Sequence, residues 1–205
     1  MKIIIFGATG GVGQQLITQA LENNHEVTAF VRNKEKITQT HKNLRVIVGD
    51  IFHVEEVKKA LENQEVVVST LGNGDGLKKS NKLYLMTKSI VDAMKMVGLN
   101  KIIYTASQGI DNEIPGVVGK IITWFLKNPL QDHKQAVEYI RNHHLNAVIV
   151  RPSSLTNHEL TKDYRIAHDT IPASQKPVSR ADVAHLILSA IETDAYDGAS
   201  IAISK

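Results

Sequence analysis

The chain has 205 residues, 42% apolar and 22% charged, which are the proportions of a globular domain and not of a disordered, collagen-like or coiled-coil sequence. Twenty-four Lys and Arg against 21 Asp and Glu leave a net charge of +3, a field too dilute for a nucleic-acid surface but suited to an anionic ligand. The absence of Cys excludes disulfides, thiolate nucleophiles and Cys-ligated metal centres.

In chain order, Ile3–Phe6 reads as a strand buried on both faces. Gly11–Asn23 follows as a helix, with Val12, Leu16, Ile17, Ala20 and Leu21 at helical spacing. Strands are predicted at Val27–Val31 and Leu44–Val48, a short helix at Val54–Leu61, and a strand at Val66–Thr70. The glycine-rich loop Gly72–Gly76 comes next, then a long helix at Leu83–Val97 and a fifth strand at Ile102–Thr105. Two helical stretches, Val117–Leu126 and Leu130–Asn142, precede a strand at Ala147–Val150. Pro152, Pro172 and Pro177 mark an irregular region, after which Arg180–Glu192 is a helix and Ser200–Ile203 a strand.

No apolar run reaches the roughly 7–15 residues of a secretory core or the ~20 of a membrane span. The expectation is a cytoplasmic protein without a membrane or nucleic-acid partner, a monomer or homodimer. Strand–helix alternation predicts an α/β fold of the Rossmann type: a doubly wound parallel sheet with helices on both faces, in a single domain spanning 1–205. A small region at about 152–180 is expected to cap a substrate.

The strongest motif is Gly7-Ala8-Thr9-Gly10-Gly11-Val12-Gly13, between the first strand and the first helix. Gly7 permits a tight turn, Gly10 lets backbone approach a pyrophosphate, and Gly13 lets the helix pack closely on the strand. The helix N-terminus presents free N–H groups and a favourable dipole to phosphate. The spacing is GxxGxxG, and its place between a buried strand and an amphipathic helix supports dinucleotide binding by Gly7, Thr9, Gly10, Gly11, Val12 and Gly13.

The end of the second strand selects the dinucleotide, because a carboxylate there binds the ribose 2′-OH of NAD and an Arg binds the 2′-phosphate of NADP. Here the strand ends in Arg32, followed by Lys34 and Lys36, while Glu26 lies at the wrong end. NADP(H) is therefore expected over NAD(H); the alternative is a solvated basic loop. Asp50, beside Ile51, is placed either to accept from the adenine amine or to cap the following helix. Leu71 and Gly72 would line the adenosine and ribose.

These motifs resemble the atypical short-chain dehydrogenase/reductases of the NmrA-like type, with most likeness to the NADPH-dependent flavin reductase/biliverdin reductase B family. The likeness runs through Gly7–Gly13, Val31-Arg32, Val48-Gly49-Asp50, Leu71-Gly72, Thr105-Ala106-Ser107, Asp132-His133-Lys134, Arg151-Pro152, Val178–Ala184 and Thr193–Gly198. It implies that Ser107 stands near the nicotinamide and the acceptor, that His133 lines the nicotinamide pocket, and that Pro152 shapes its carboxamide side. Ser107 and His133 are thus the candidate catalytic residues; a turn serine and a capping histidine are the alternatives. Ser153 and Ser154 depart from the proline and histidine that the family tends to carry, which leaves the acceptor open.

Tyr84 and Lys88 spell the YxxxK acid–base pair of standard short-chain dehydrogenases, but they precede Ser107 and lie one helix too early. At the topologically correct place the tyrosine position is Leu130, and Lys134 stands without it. A reductase of ketones needs a positioned acid for the alkoxide. A conjugated planar acceptor takes hydride without one, so the resemblance implies hydride transfer from NADPH to a small planar acceptor: free FMN or FAD as substrate and not prosthetic group, or a tetrapyrrole. The competing reading is a non-catalytic NADP(H)-binding redox sensor. His143-His144 shows no metal-ligand spacing, so no metal is expected. Ile121, Trp124 and Phe125 could be core, lid or dimer contact, and residues 111–119 are expected to form a mobile loop over the acceptor.

Overall fold

The computed structural model describes residues 1–72, 74, 76–111, 113 and 116–205, with the backbone alone at 117, 118, 120 and 122. The first half of the chain runs β1 (Lys2–Phe6), α1 (Gly11–Glu22), β2 (Glu26–Val31), a 3-10 turn (Lys34–Lys36), β3 (Leu44–Val48), α2 (Val54–Leu61), β4 (Val66–Ser69) and α3 (Lys82–Val97). The second half runs β5 (Lys101–Thr105), α4 (Gly116–Phe125), α5 (Lys127–Asn142), β6 (Asn146–Pro152), β7 (Leu155–Thr156), β8 (Arg165–His168), β9 (Val178–Ser179), α6 (Arg180–Glu192) and β10 (Ser200–Ser204).

Eight strands form one sheet in the order β3-β2-β1-β4-β5-β6-β10-β8. Seven are parallel, and the order reverses between β1 and β4, which opens a crevice beyond their carboxyl ends. Alternation within β1 shows how the layers arise. Ile3 and Ile5 pack with α1 and α6 on one face, whereas Ile4 and Phe6 pack with α2, α3 and α5 on the other. All four side chains are fully buried, which is why the strand reads as a continuous apolar run.

The doubly wound parallel sheet is as expected, with one addition at its edge, where β8 pairs antiparallel with β10 in the register Ile203↔Ile166. The 152–180 region is also less irregular than its prolines suggest, since β7 and β9 form a small parallel pair through Leu155↔Val178. An edge strand with one neighbour and mostly exposed side chains carries little periodic signal, and two-residue strands carry none. The helix predicted from Leu130 starts at Lys127, with Pro129 inside its first turn. A proline is tolerated there because the first N–H groups of a helix have no internal acceptor.

Candidate functional site

Gly7 adopts φ +83°, and a Cβ built on it would lie 2.7 Å from the Thr70 carbonyl carbon. A Cβ at Gly13 would overlap the Gly7 carbonyl oxygen. Both glycines are therefore required by close approach: β1 to the end of β4, and α1 to the end of β1. Gly10 donates its N–H to the Gly7 carbonyl at 2.9 Å and then caps α1 without a side chain. The first helical bond into that cap is Gln14 N–H to Gly10 O at 2.9 Å. The N–H groups of the first turn before it are left to a ligand or to water, and they carry the positive end of the helix dipole.

Above this turn lies a groove of about 300 Å³, lined by Gly7, Thr9, Gly10, Val31, Arg32, Ile51, Phe52, Thr70, Leu71, Gly72, Lys82 and Met86. Its floor is Phe6 against Phe30, with ring centroids 5.1 Å apart. Arg32 and Lys82 are the charged residues of the wall; no carboxylate lines it among the described residues. The polar wall suits an anion and the aromatic floor a flat heterocycle.

Of the predicted cofactor residues, the structure brings Gly7, Thr9, Gly10, Arg32, Ile51, Leu71 and Gly72 to this groove. Gly11, Val12 and Gly13 form the first turn of α1 beside it. Asp50 is not in the wall; its carboxylate accepts the Phe52 N–H at 3.0 Å, and its own N–H is held by Glu56 at 2.9 Å. This turn instead presents Ile51 and Phe52 to the groove. Phe52, 47% exposed, escaped sequence reasoning, as did Thr70, Lys82 and Met86. An unpaired aromatic just after the third strand was the available signal for Phe52; Lys82 and Met86 reach the groove from α3 and left none.

Ser107, His133 and Pro152 do not line the groove. Beyond β5, Ala106 N–H donates to Val150 O at 2.8 Å and Gln108 N–H to Pro152 O at 3.2 Å, so Ser107 stands next to Pro152 at the carboxyl edge. The Ser107 hydroxyl turns to the Gln108 carbonyl at 3.1 Å. His133 is largely buried on α5 with Nδ1 3.2 Å from the Tyr104 hydroxyl, and burial pushes its pKa down to about 4. At neutral pH its imidazole is uncharged.

The neighbours of these residues are structural. Asp132, buried beside His133, accepts the N–H groups of Leu83 at 3.2 Å and Tyr84 at 3.0 Å, so α5 supplies the N-terminal cap of α3. Lys88 pairs with Asp92 and touches the Tyr139 hydroxyl at 3.2 Å, and Tyr139 donates to Asp92 at 2.7 Å. The hydrogen bond that Lys88 donates to Asp92 raises its pKa. The Tyr84–Lys88 pair thus belongs to the α3–α5 packing, away from the groove.

Arg151, fully buried in β6, pairs with Glu113 and donates to the Thr170 carbonyl at 3.0 Å. Glu113 also accepts the N–H groups of Gly109 and Asp111, each at 3.0 Å. Positions 112, 114 and 115 of the loop expected to be mobile lie outside the described residues. At Glu113 that loop is tied to the sheet, which counts against free movement there. Trp124, Phe125 and Ile121 are exposed, so they are not core. Among the described residues no cluster of three His, Asp or Glu could hold a metal ion. Nor is any described helix long and apolar enough to cross a membrane.

Fold and groove together define a Rossmann-type nucleotide-binding protein, with a glycine turn, an uncapped helix N-terminus and a cationic rim at the sheet's reversal point. Residues 7–194 match the NAD(P)H-binding family, and the chain belongs to it. It is 30% identical over 122 residues to phenylcoumaran benzylic ether reductase TP7 of Nicotiana tabacum, which covers 54% of this chain and 36% of that protein. The chain thus spans about a third of the length of the curated relatives it matches. A Rossmann-fold NAD(P)-binding family protein of Shigella flexneri superposes with a TM-score of 0.80 at 26% identity, covering 99% of this chain and 92% of that one. ChuY, an anaerobilin reductase of Escherichia coli O157:H7, superposes with a TM-score of 0.83 at 21% identity over 99% of this chain and 96% of its own, a likeness of fold.

Proposed function

We propose that the chain is an oxidoreductase that uses NADPH in preference to NADH and reduces a planar, conjugated acceptor such as free FMN, FAD or a tetrapyrrole. The carrying observation is Arg32 at the groove rim, with no hydrogen bond or ion pair of its own and no carboxylate in the groove wall among the described residues. Its guanidinium would grip the 2′-phosphate bidentately, while the first turn of α1 receives the pyrophosphate. Ile51 and Phe52 would flank the adenine. When bound, the reduced nicotinamide supplies the hydride. The protein would hold one face of it toward the acceptor near Ser107 and Pro152 and leave solvent free to supply the proton.

The choice of acceptor rests on what α5 lacks. Leu130, which is buried, stands at the chain position where the resemblance would put the phenolic acid that protonates an alkoxide, and the Tyr84–Lys88 pair is engaged elsewhere. An acceptor that delocalises the incoming electron pair and takes its proton from water suits such a site. The fold likeness to ChuY agrees with this class of acceptor, and residues 152–180 would cap it.

The sensor reading keeps the same cofactor but no turnover. It is favoured by one observation, that neither Ser107 nor His133 lines the groove. Steady-state oxidation of NADPH with FMN, FAD, quinones and tetrapyrroles separates the two. Turnover with a planar acceptor supports the enzyme; tight NADPH binding without turnover on any acceptor leaves the sensor.

A further inference from the structure

The Val178-Ser179-Arg180 stretch, so far without a role, enters the glycine turn from the far end of the chain. Arg180 is the first residue of α6, and its stem lies across the first residue of α1. A Cβ built on Gly11 would overlap the Arg180 Cδ and come within 2.8 Å of its Nε. The guanidinium is held from its other side by Asn157, whose Oδ1 accepts from Nη1 at 2.7 Å. Its remaining N–H groups have no protein acceptor among the described residues. Gly11 itself has ordinary backbone angles, so backbone conformation does not demand glycine there. The space that a Cβ would take there is occupied by the Arg180 side chain.

From this juxtaposition we infer that Arg180 is a cofactor-positioning cation. It is threaded past Gly11 so that its guanidinium supplements the uncapped N–H groups of α1 in binding the dinucleotide pyrophosphate. The inference rests on the NAD(P)H-binding reading of the groove and adds a second cation, distinct from Arg32 in what it recognises. Arg32 stands at the end of β2, where a 2′-phosphate would lie; Arg180 is outside the groove wall and stands beside the first residue of α1, whose N–H groups would meet the pyrophosphate. Asn157 fixes the fork and so lowers the entropy lost on binding. Because Asn157 and Arg180 belong to the 152–180 region and its exit, bound dinucleotide would also hold that region against the sheet.

The test uses the full chain and three ligands: NADPH, NADH and 2′-AMP, which carries the 2′-phosphate without a pyrophosphate. Arg180→Gln should weaken NADPH and NADH alike, by about 10-fold or more, the loss expected for a charge-assisted hydrogen bond, and leave 2′-AMP within twofold. Gly11→Ala adds a methyl group that displaces Arg180 without removing charge, and should show the same pattern. The double variant should lose little more than either single one, since both break one interaction. Unchanged dinucleotide affinity in both single variants would overturn the role, and so would an equal loss of 2′-AMP affinity, which would mark a purely structural arginine. A wild-type chain that binds neither dinucleotide would overturn the cofactor reading itself.

Discussion

The Tyr104 hydroxyl on β5 lies 3.2 Å from Nδ1 of His133 on α5, the two rings edge to face with centroids 6.0 Å apart. Burial raises the Tyr104 pKa and depresses that of His133, so both groups are held neutral at physiological pH. A phenol that keeps its proton can donate it to Nδ1, which places the imidazole proton on Nε2.

The depressed histidine has a consequence for stability. The unfolded chain binds a proton at His133 near pH 6.5, and the folded chain only near pH 4. Stability at this site is therefore intact above pH 6.5 and declines as the pH falls from there through 4, by up to about 3 kcal/mol. Urea unfolding at pH 7 and pH 4.5 should show His133→Gln losing less stability on acidification than the wild type. A wild-type His133 Cε1 proton resonance that titrates near pH 6.5 would refute the assignment.

Arg32→Ala should weaken NADPH binding by about 10-fold or more while changing NADH by less than threefold, because only NADPH carries the 2′-phosphate. Fluorescence titration with the two dinucleotides reads the difference directly. Equal losses would remove Arg32 as the phosphate contact.

Gly13→Ala should destabilise the fold by about 1–3 kcal/mol, since the new methyl group has no space between α1 and the Gly7 carbonyl. Gly7→Ala adds a positive φ to a similar overlap and should cost at least as much. Thermal unfolding with and without NADPH checks both, and wild-type melting in either variant would contradict the packing.

Tyr84→Phe and Lys88→Met should leave NADPH affinity and any turnover within about twofold, although together they remove the YxxxK pair. Lys88 is bound to Asp92 and Tyr139 on the α3–α5 face, and Tyr84 packs edge to face on Tyr139 at 5.7 Å. Surface ion pairs of this kind contribute about 1 kcal/mol or less to stability. Assays of the double variant with NADPH and FMN test it, and a loss of turnover beyond tenfold would return the pair to the chemistry.

The amino-acid pattern alone determined the layered α/β architecture. Continuous apolar runs such as Ile3–Phe6 and the 3.6-residue period of Leu16, Ala20 and Leu21 are local properties, and the buried faces they imply are the ones observed. The glycine turn and the place of Arg32 in the groove wall were legible for the same reason, since both sit at fixed offsets from a strand end. Only the tertiary structure decided that Asp132 caps α3, that Phe52 and not Asp50 faces the groove, and that Arg180 meets Gly11. Each of these is a pairing between elements, or a choice of side-chain direction within a turn. Strand order and helix packing settle such pairings; the local hydrophobic period carries no record of them.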